Sequence, residues 1–365
     1  MIKHFIYLFL VTSQLYSPRL FFIGENIISV TFSSFYSKSE TTLEIFVFIQ
    51  PLRTITMTEN SQLVIDQALA TMENDTNDLI QKIKDANGKS KNPRLSFLLG
   101  KFIDYFKAFS TETKLRNDEF YMLLDFLTEC GQNSTATRQE LYLLSDILGV
   151  SSLLDVLNNP KPANATKSTV MGPFHTDDGP NLSNGESISS PGRGECCLMI
   201  CSVSDTSGKP IEGVKIDVWE TDATGRYDNQ YENRDKPDMR AVLTSDADGK
   251  FYFRCVRPVS YTVPNDGPVG HLLENLNREA YRPAHIHFLL TDPQKKYENL
   301  VTALFIRGDP HEENDAVFGV RPELIVDINK VQDESMAHQY NVDPNDWLIK
   351  YDFVLTSTEK VEKLR

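Results

Sequence analysis

With 365 residues, 40% of them apolar, the chain is long enough for one large domain or two ordinary ones and can fill a core. A formal net charge of −14 argues against a nucleic-acid partner, because phosphate binding needs clustered lysine and arginine. The cysteines Cys130, Cys196, Cys197, Cys201 and Cys255 are odd in number, lie mainly in apolar runs and include no Cys-x-x-Cys pair. They read as reduced, buried thiols in a cytoplasmic protein, which makes the sequons at Asn133 and Asn164 incidental.

Residues 1–56 are rich in Phe, Ile and Ser and show no sustained helical or strand period. Met57-Thr-Glu-Asn-Ser reads as a start of translation, since amphipathic helices begin soon after it. The rival is a secretory leader, Lys3 and His4 before Phe5-Ile-Tyr-Leu-Phe-Leu-Val11, with a short apolar core and no small-x-small cleavage site. Glu25, Glu40 and Glu44 speak against a mitochondrial presequence. No stretch reaches membrane-spanning length without interruption.

From about Thr76 to Asn159 apolar residues recur at helical spacing, as in Leu95, Phe97, Leu98, Phe102, Tyr105 and Phe106. Pro160-Lys-Pro162 closes this helical region, which spans 57–162 as a domain. Short alternating runs follow: Leu198 to Val203, Val214 to Trp219, Phe251 to Cys255, His285 to Leu290, Val301 to Ile306 and Leu324 to Asp327. With turn signals such as Ala247-Asp-Gly249 between them, they predict an antiparallel β-sandwich over 163–358, with long excursions where a site can be built. Tyr351-Asp-Phe-Val-Leu355 closes the sandwich before a charged tail, 359–365. The fold class is therefore α+β, a helical region followed by a sandwich that carries the site.

Within the sandwich, Arg282-Pro-Ala-His-Ile-His-Phe288 places His285 and His287 on one face of a strand, which is half a metal site. Tyr227, in Asp222-Ala-Thr-Gly-Arg-Tyr-Asp228, and Tyr261, in Pro258-Val-Ser-Tyr-Thr-Val-Pro264, are loop tyrosines. The bland readings are a buried histidine pair, two half-buried rings and a surface arginine at 282.

The order Tyr, Tyr, Arg-x-x-His-x-His resembles the intradiol ring-cleaving catechol dioxygenases. So do Met171-Gly-Pro-Phe174, Gly208-Lys-Pro-Ile-Glu-Gly213, Asp217-Val-Trp219, Asp266-Gly-Pro-Val-Gly270, Arg307-Gly-Asp-Pro310 and Asp315-Ala-Val-Phe-Gly319, in the family's order over residues 75 to 357. The wording after Tyr261 and around Asp315 is most similar to the hydroxyquinol 1,2-dioxygenase branch, particularly its fungal members.

The resemblance implies one iron(III) per subunit, bound by Tyr227, Tyr261, His285 and His287. A trivalent cation favours the tyrosinate anion at neutral pH, and the metal acts as Lewis acid and template for a chelating aromatic diol that reacts with O2. Tyr227, His285 and His287 are the retained ligands. Tyr261, opposite His285, leaves and takes a substrate proton, which requires the loop between Pro258 and Pro264 to swing. Arg282 stabilises the carbanion-like substrate.

The substrate wall implied is Val170, Pro173 and Phe174 with Ala316 and Val317. Asp146 matches an acidic position suited to a third hydroxyl; a helical surface aspartate is the competing reading. Where many bacterial catechol enzymes carry glutamine, this chain has Ala303, which favours hydroxyquinol over catechol as substrate. Through the helical region the family forms a homodimer in which a phospholipid lodges; core packing of those helices is the simpler alternative.

Two other enzymes and a binding protein compete. His175-Thr-Asp177 fits the first half of a two-histidine, one-carboxylate iron(II) triad. A cupin would show a glutamate where Leu290 and Thr291 stand, and a lipid- or ligand-binding sandwich would have lost its metal residues, all of which are present.

Overall fold

The computed structural model describes residues 19–23, 26–36, 41–51, 59–135 and 138–364, with side chains from residue 62 onward. The start at Met57 and the leader reading of Lys3 to Val11 lie outside the described residues. Compactness divides the chain after Leu115 into two units.

The first unit holds a three-stranded antiparallel sheet of β1 (Arg19–Ile23), β2 (Asn26–Tyr36) and β3 (Thr41–Pro51). These strands form although residues 1–56 show no sustained strand period; β2 and β3 are dense in β-branched and aromatic residues, which suit a pleated surface. Helices α1 (Glu59–Asn87) and α2 (Pro93–Thr113) follow. α2 starts where Asn92 accepts the Leu95 amide and Pro93 occupies the first helical position, and it stops at Lys114 in the left-handed conformation.

In the second unit α3 (Asn117–Asn133), α4 (Glu140–Ile147) and α5 (Val150–Asn158) complete the predicted helical region. Gly149, at φ 73°, makes the corner between α4 and α5. Beyond it lie β4 (Cys196–Asp205), β5 (Lys215–Trp219), β6 (Arg240–Thr244), β7 (Lys250–Val256), β8 (Tyr261–Thr262), helix α6 (Pro268–Asn275), β9 (Tyr281–Arg282), β10 (His285–Thr291) and β11 (Leu300–Ile306). The order ends with β12 (Ile325–Val326), β13 (Asn329–Lys330), α7 (Glu334–Tyr340), β14 (Trp347–Leu355) and α8 (Thr358–Glu362).

Two sheets face each other. One runs β12-β11-β10-β5-β6 and the other β13-β14-β4-β7. Their shared core takes Ile286, Phe288 and Leu290 from β10, Ile216 and Val218 from β5, Met199 and Val203 from β4, and Phe353 from β14. Phe288 meets Phe353 with ring centroids 5.0 Å apart, so the sheets interlock through aromatic contact. The predicted antiparallel sandwich carries two parallel pairs, β11 with β12 and β14 with β4. β14 arrives after α7 and adds alongside β4 over nine residue pairs, from Trp347↔Cys197 to Leu355↔Asp205.

The alternation of β10 positions the site. Its even-numbered residues fill the core between the sheets, so His285 and His287 must point to the opposite face of the sheet. That face is covered by the chain excursions that carry Phe174, Tyr227 and Tyr261, which leaves both histidines buried. All five cysteines are free, and burial pushes the Cys196 thiol up to about 12.

Candidate metal centre

His287 pairs in register with Trp219 on β5 and with Ala303 on β11. The Trp219 ring lies parallel to the His287 ring, with centroids 5.0 Å apart and planes 3° from parallel, so a cross-strand stack sets the imidazole plane. Gly172, at φ 71°, lets the Met171-Gly-Pro173 turn pass close to His287; a Cβ there would lie 3.7 Å from Nε2. His285 is oriented by its own chain. Its Nδ1 donates to the Pro283 carbonyl at 2.7 Å, so the Nε2 lone pair points away from the backbone.

That Nε2 lies 3.0 Å from Nε2 of His287 and 3.1 Å from Nη1 of Arg282. Burial, reinforced by the Arg282 charge, pulls the His285 pKa down to about 3; burial and neighbouring His285 hold His287 well below its ordinary value. Both imidazoles are therefore neutral near pH 7, the state in which they ligate.

The tyrosines close the other side. Tyr227 Oη and Tyr261 Oη are 3.1 Å apart, the Tyr261 ring lies 5.5 Å from His285, and the Tyr227 ring lies 6.4 Å from His287. Tyr227 is fully buried under Phe174, whose ring stacks on it at 4.6 Å. Phe174 is fixed in turn through its carbonyl, which accepts from Arg240 Nη1 and Nη2 at 3.1 Å and from Asn229 at 3.2 Å, while Arg240 pairs with buried Asp228.

Burial raises both phenol pKa values. For Tyr261 the Arg282 charge and hydrogen bond oppose the rise, whereas at Tyr227 the neighbouring Tyr261 adds to it. A cation among these four groups reverses that balance and favours phenolate. Two phenol oxygens and two imidazole nitrogens, buried and converging, form a hard donor set that fits a ferric ion.

Tyr261 does not sit in a free loop. Its peptide pairs with Arg282 across β8 and β9, and Val263 N donates to Ala280 O at 2.8 Å. The Pro258–Pro264 segment, expected to swing, is laced to β9, and the Tyr261 side chain lines a cleft of about 920 Å3.

Arg282 is buried and pairs with Asp315, at 3.1 Å from Nε to Oδ1. The predicted wall divides. Pro173 and Phe174 line the cleft, whereas Val170, Ala316 and Val317 pack together with Leu143, Leu144 and Ile147 of α4. Asp146, only 8% exposed, is no surface aspartate. Burial pushes its carboxyl above the usual range, opposed by the Ser151 hydroxyl and the Arg282 charge.

The alternative triad fails. His175 Nε2 bonds Asp217 Oδ2 at 2.9 Å, while the Asp177 side chain is 100% exposed and 4.0 Å away. No group of three or more His, Cys, Asp or Glu among the described residues could hold a metal ion. Sequence reasoning passed over Asp315, Asp228 with Arg240, and the orienting role of Trp219. All but Arg240 stand in or beside stretches already singled out, but turn aspartates have too many structural uses to stand out alone.

A two-layer sandwich with a buried Tyr2His2 cluster beside an arginine fits a ring-cleaving dioxygenase, and the comparisons show that class. The family model described as "Dioxygenase" matches residues 171–357, and the one described as "Catechol dioxygenase N terminus" matches residues 92–166. The chain is 46% identical over 295 residues to intradiol ring-cleavage dioxygenase hqdA of Aspergillus niger, covering 81% of this chain and 88% of that protein. It is 37% identical over 294 residues to a hydroxyquinol 1,2-dioxygenase of Rhizobium sp., covering 80% and 97%. The crystal structure of hydroxyquinol 1,2-dioxygenase from Pseudomonas putida DLL-E4 superposes with a TM-score of 0.70 at 35% identity, over 78% of this chain and 99% of that one. The chain belongs to the intradiol ring-cleavage dioxygenase family and is an oxidoreductase. The family uses non-haem iron. No helix among the described residues is long and apolar enough to cross a membrane.

Proposed function

We propose that Tyr227, Tyr261, His285 and His287 hold one ferric ion per chain, and that the chain opens hydroxyquinol with O2 between its adjacent hydroxyl-bearing carbons. The product is 3-hydroxy-cis,cis-muconate, which tautomerises to maleylacetate. The observation that carries this reading is the convergence of two phenol oxygens, 3.1 Å apart, with two imidazole nitrogens, 3.0 Å apart, beside a buried arginine. When bound, ferric iron supplies Lewis acidity that chelates the diol and favours its anion.

The chain's own groups do the rest. Tyr227, His285 and His287, each fixed by stacking or a backbone bond, keep their places. Tyr261 takes a proton from the diol by turning its ring toward the cleft; Arg282 faces its oxygen and is the charge that favours its anion before that transfer. Arg282, held by Asp315, presents a permanent positive charge to electron density developing on the ring. Phe174 and Pro173 exclude water on the cleft side, and the Val170, Ala316 and Val317 cluster backs the wall beside Asp146. The buried Asp146 carboxyl suits a third hydroxyl, and the relatives named hydroxyquinol 1,2-dioxygenase support hydroxyquinol ahead of catechol as this chain's substrate.

The test is the absorption spectrum of iron-loaded protein before and after anaerobic hydroxyquinol, with product analysis on hydroxyquinol and catechol. A tyrosinate-to-iron band that shifts with substrate, and faster turnover of hydroxyquinol, is the expected result. Colourless iron-bound protein overturns the ligand set, and faster turnover of catechol overturns the substrate. We further propose a cytoplasmic homodimer formed through the helical region with a phospholipid at its contact. Size-exclusion chromatography with light scattering, lipid extraction and cell fractionation decide these points.

A further inference from the structure

The residue before Tyr261 is fastened from a second direction. Ser260 Oγ donates to Asp309 Oδ2 at 2.8 Å, and the same oxygen accepts the Ala284 amide at 3.0 Å. The other oxygen, Oδ1, accepts the His311 amide at 2.8 Å. Ser260 directly precedes Tyr261, and Ala284 directly precedes His285. One carboxylate, in the turn that leaves β11, thus joins the approaches to two of the four candidate ligands.

The other side of Tyr261 is closed as well. Gly225, at φ 79°, brings the Asp222–Gly225 turn so near that a Cβ there would lie 2.7 Å from the Tyr261 Cβ. With the pairing to Arg282, the Tyr261 backbone is held by the β8–β9 ladder, by the Gly225 turn and by Asp309 through Ser260. A side chain that must leave and return needs a fixed pivot, because a shift of the backbone would change where the oxygen lands.

We infer that Asp309 is a positioning residue that, through the Ser260 hydroxyl and the Ala284 amide, sets the separation of Tyr261 from His285 and holds the pivot about which the Tyr261 ring turns. This rests on the ligand set proposed above. The Ser260 hydroxyl is the part to remove, since Asp309 then keeps both its amide donors and the fold keeps its turn.

The experiment compares iron-loaded parent, Ser260→Ala and Ser260→Thr. It reads the visible band with and without anaerobic hydroxyquinol, kcat and KM from oxygen uptake, and amide exchange at Val263 in metal-free protein. Loss of one such bond predicts a displaced band, kcat lower by about three- to tenfold with KM changed less than about twofold, and faster Val263 exchange, all restored by Ser260→Thr. If Ser260→Ala shows the parent's band, kcat and exchange, or loses only thermal stability, the inference is wrong. A parent protein without the band sinks the ligand assignment and takes this inference with it; a parent with the band and an indifferent Ser260→Ala sinks this inference alone.

Discussion

Arg282 is only 3% exposed, and one carboxylate offsets its charge. Asp315 accepts from Nε at 3.1 Å and from Nη2 at 3.4 Å, and also accepts the amides of Gly319 at 2.8 Å and Val317 at 3.3 Å. Burial pushes the Asp315 carboxyl up, but the Arg282 charge and hydrogen bond outweigh it and hold the carboxyl below the usual range. Removing one member of such a pair leaves a buried charge alone, so Asp315→Ala should cost about 3–5 kcal/mol in urea unfolding. Unchanged unfolding would mean that water or another anion reaches Arg282. Gly319→Ala is the milder probe. A Cβ there would stand 2.9 Å from Arg282 Nη2, 3.1 Å from Asp315 Oδ2 and 3.2 Å from Thr169 Oγ1, so the guanidinium must yield. None of the three atoms nearest that Cβ belongs to a candidate ligand. The visible band should stay in place while kcat drops; a kcat equal to the parent's would remove Arg282 placement from the account of turnover.

Among the elements, those with a repeating pattern were legible and those made by tertiary closure were not. β10 was readable because Ile286, Phe288 and Leu290 alternate with His285 and His287, and burial on one face enforces that register. β6, Arg240 to Thr244, was missed although Ala241 and Leu243 alternate, because Arg240 is buried against Asp228 and reads as a surface residue until that partner is known. The two-residue β8 and β9 carry no period at all, yet their register places Tyr261 against Arg282. The tyrosines themselves came from resemblance, since a loop tyrosine has no local signature. A strictly local element allows a local test. Asn92 caps α2 through the Leu95 amide at 3.1 Å, so Asn92→Ala should destabilise that helix by about 1 kcal/mol, seen as faster amide exchange in its first turn. Exchange equal to the parent's would show that Pro93 alone defines the start.

At the scale of the whole molecule, the two sheets are joined by more than apolar packing. Glu220 directly follows β5 of one sheet, is 1% exposed, and its Oε1 accepts the amide of Val256 at the end of β7 in the other sheet, at 2.8 Å. Its Oε2 is buried without a partner, and burial raises the carboxyl well above its ordinary value of 4.5, with the Val256 bond opposing. The folded chain therefore keeps this proton at pH values where the unfolded chain has released it. Stability from this group is full below about pH 4.5 and falls as pH rises toward the folded-state value. Glu220→Gln keeps an oxygen for Val256 and cannot titrate. Any penalty from its amide is independent of pH, so the informative quantity is the change in the difference from the parent. Above about pH 5 the unfolding free energy of Glu220→Gln should gain on the parent by up to about 1.4 kcal/mol per pH unit, until Glu220 ionises in the fold. Parallel curves over that range would mean that Glu220 is already ionised in the fold and that its unpaired oxygen has found a donor.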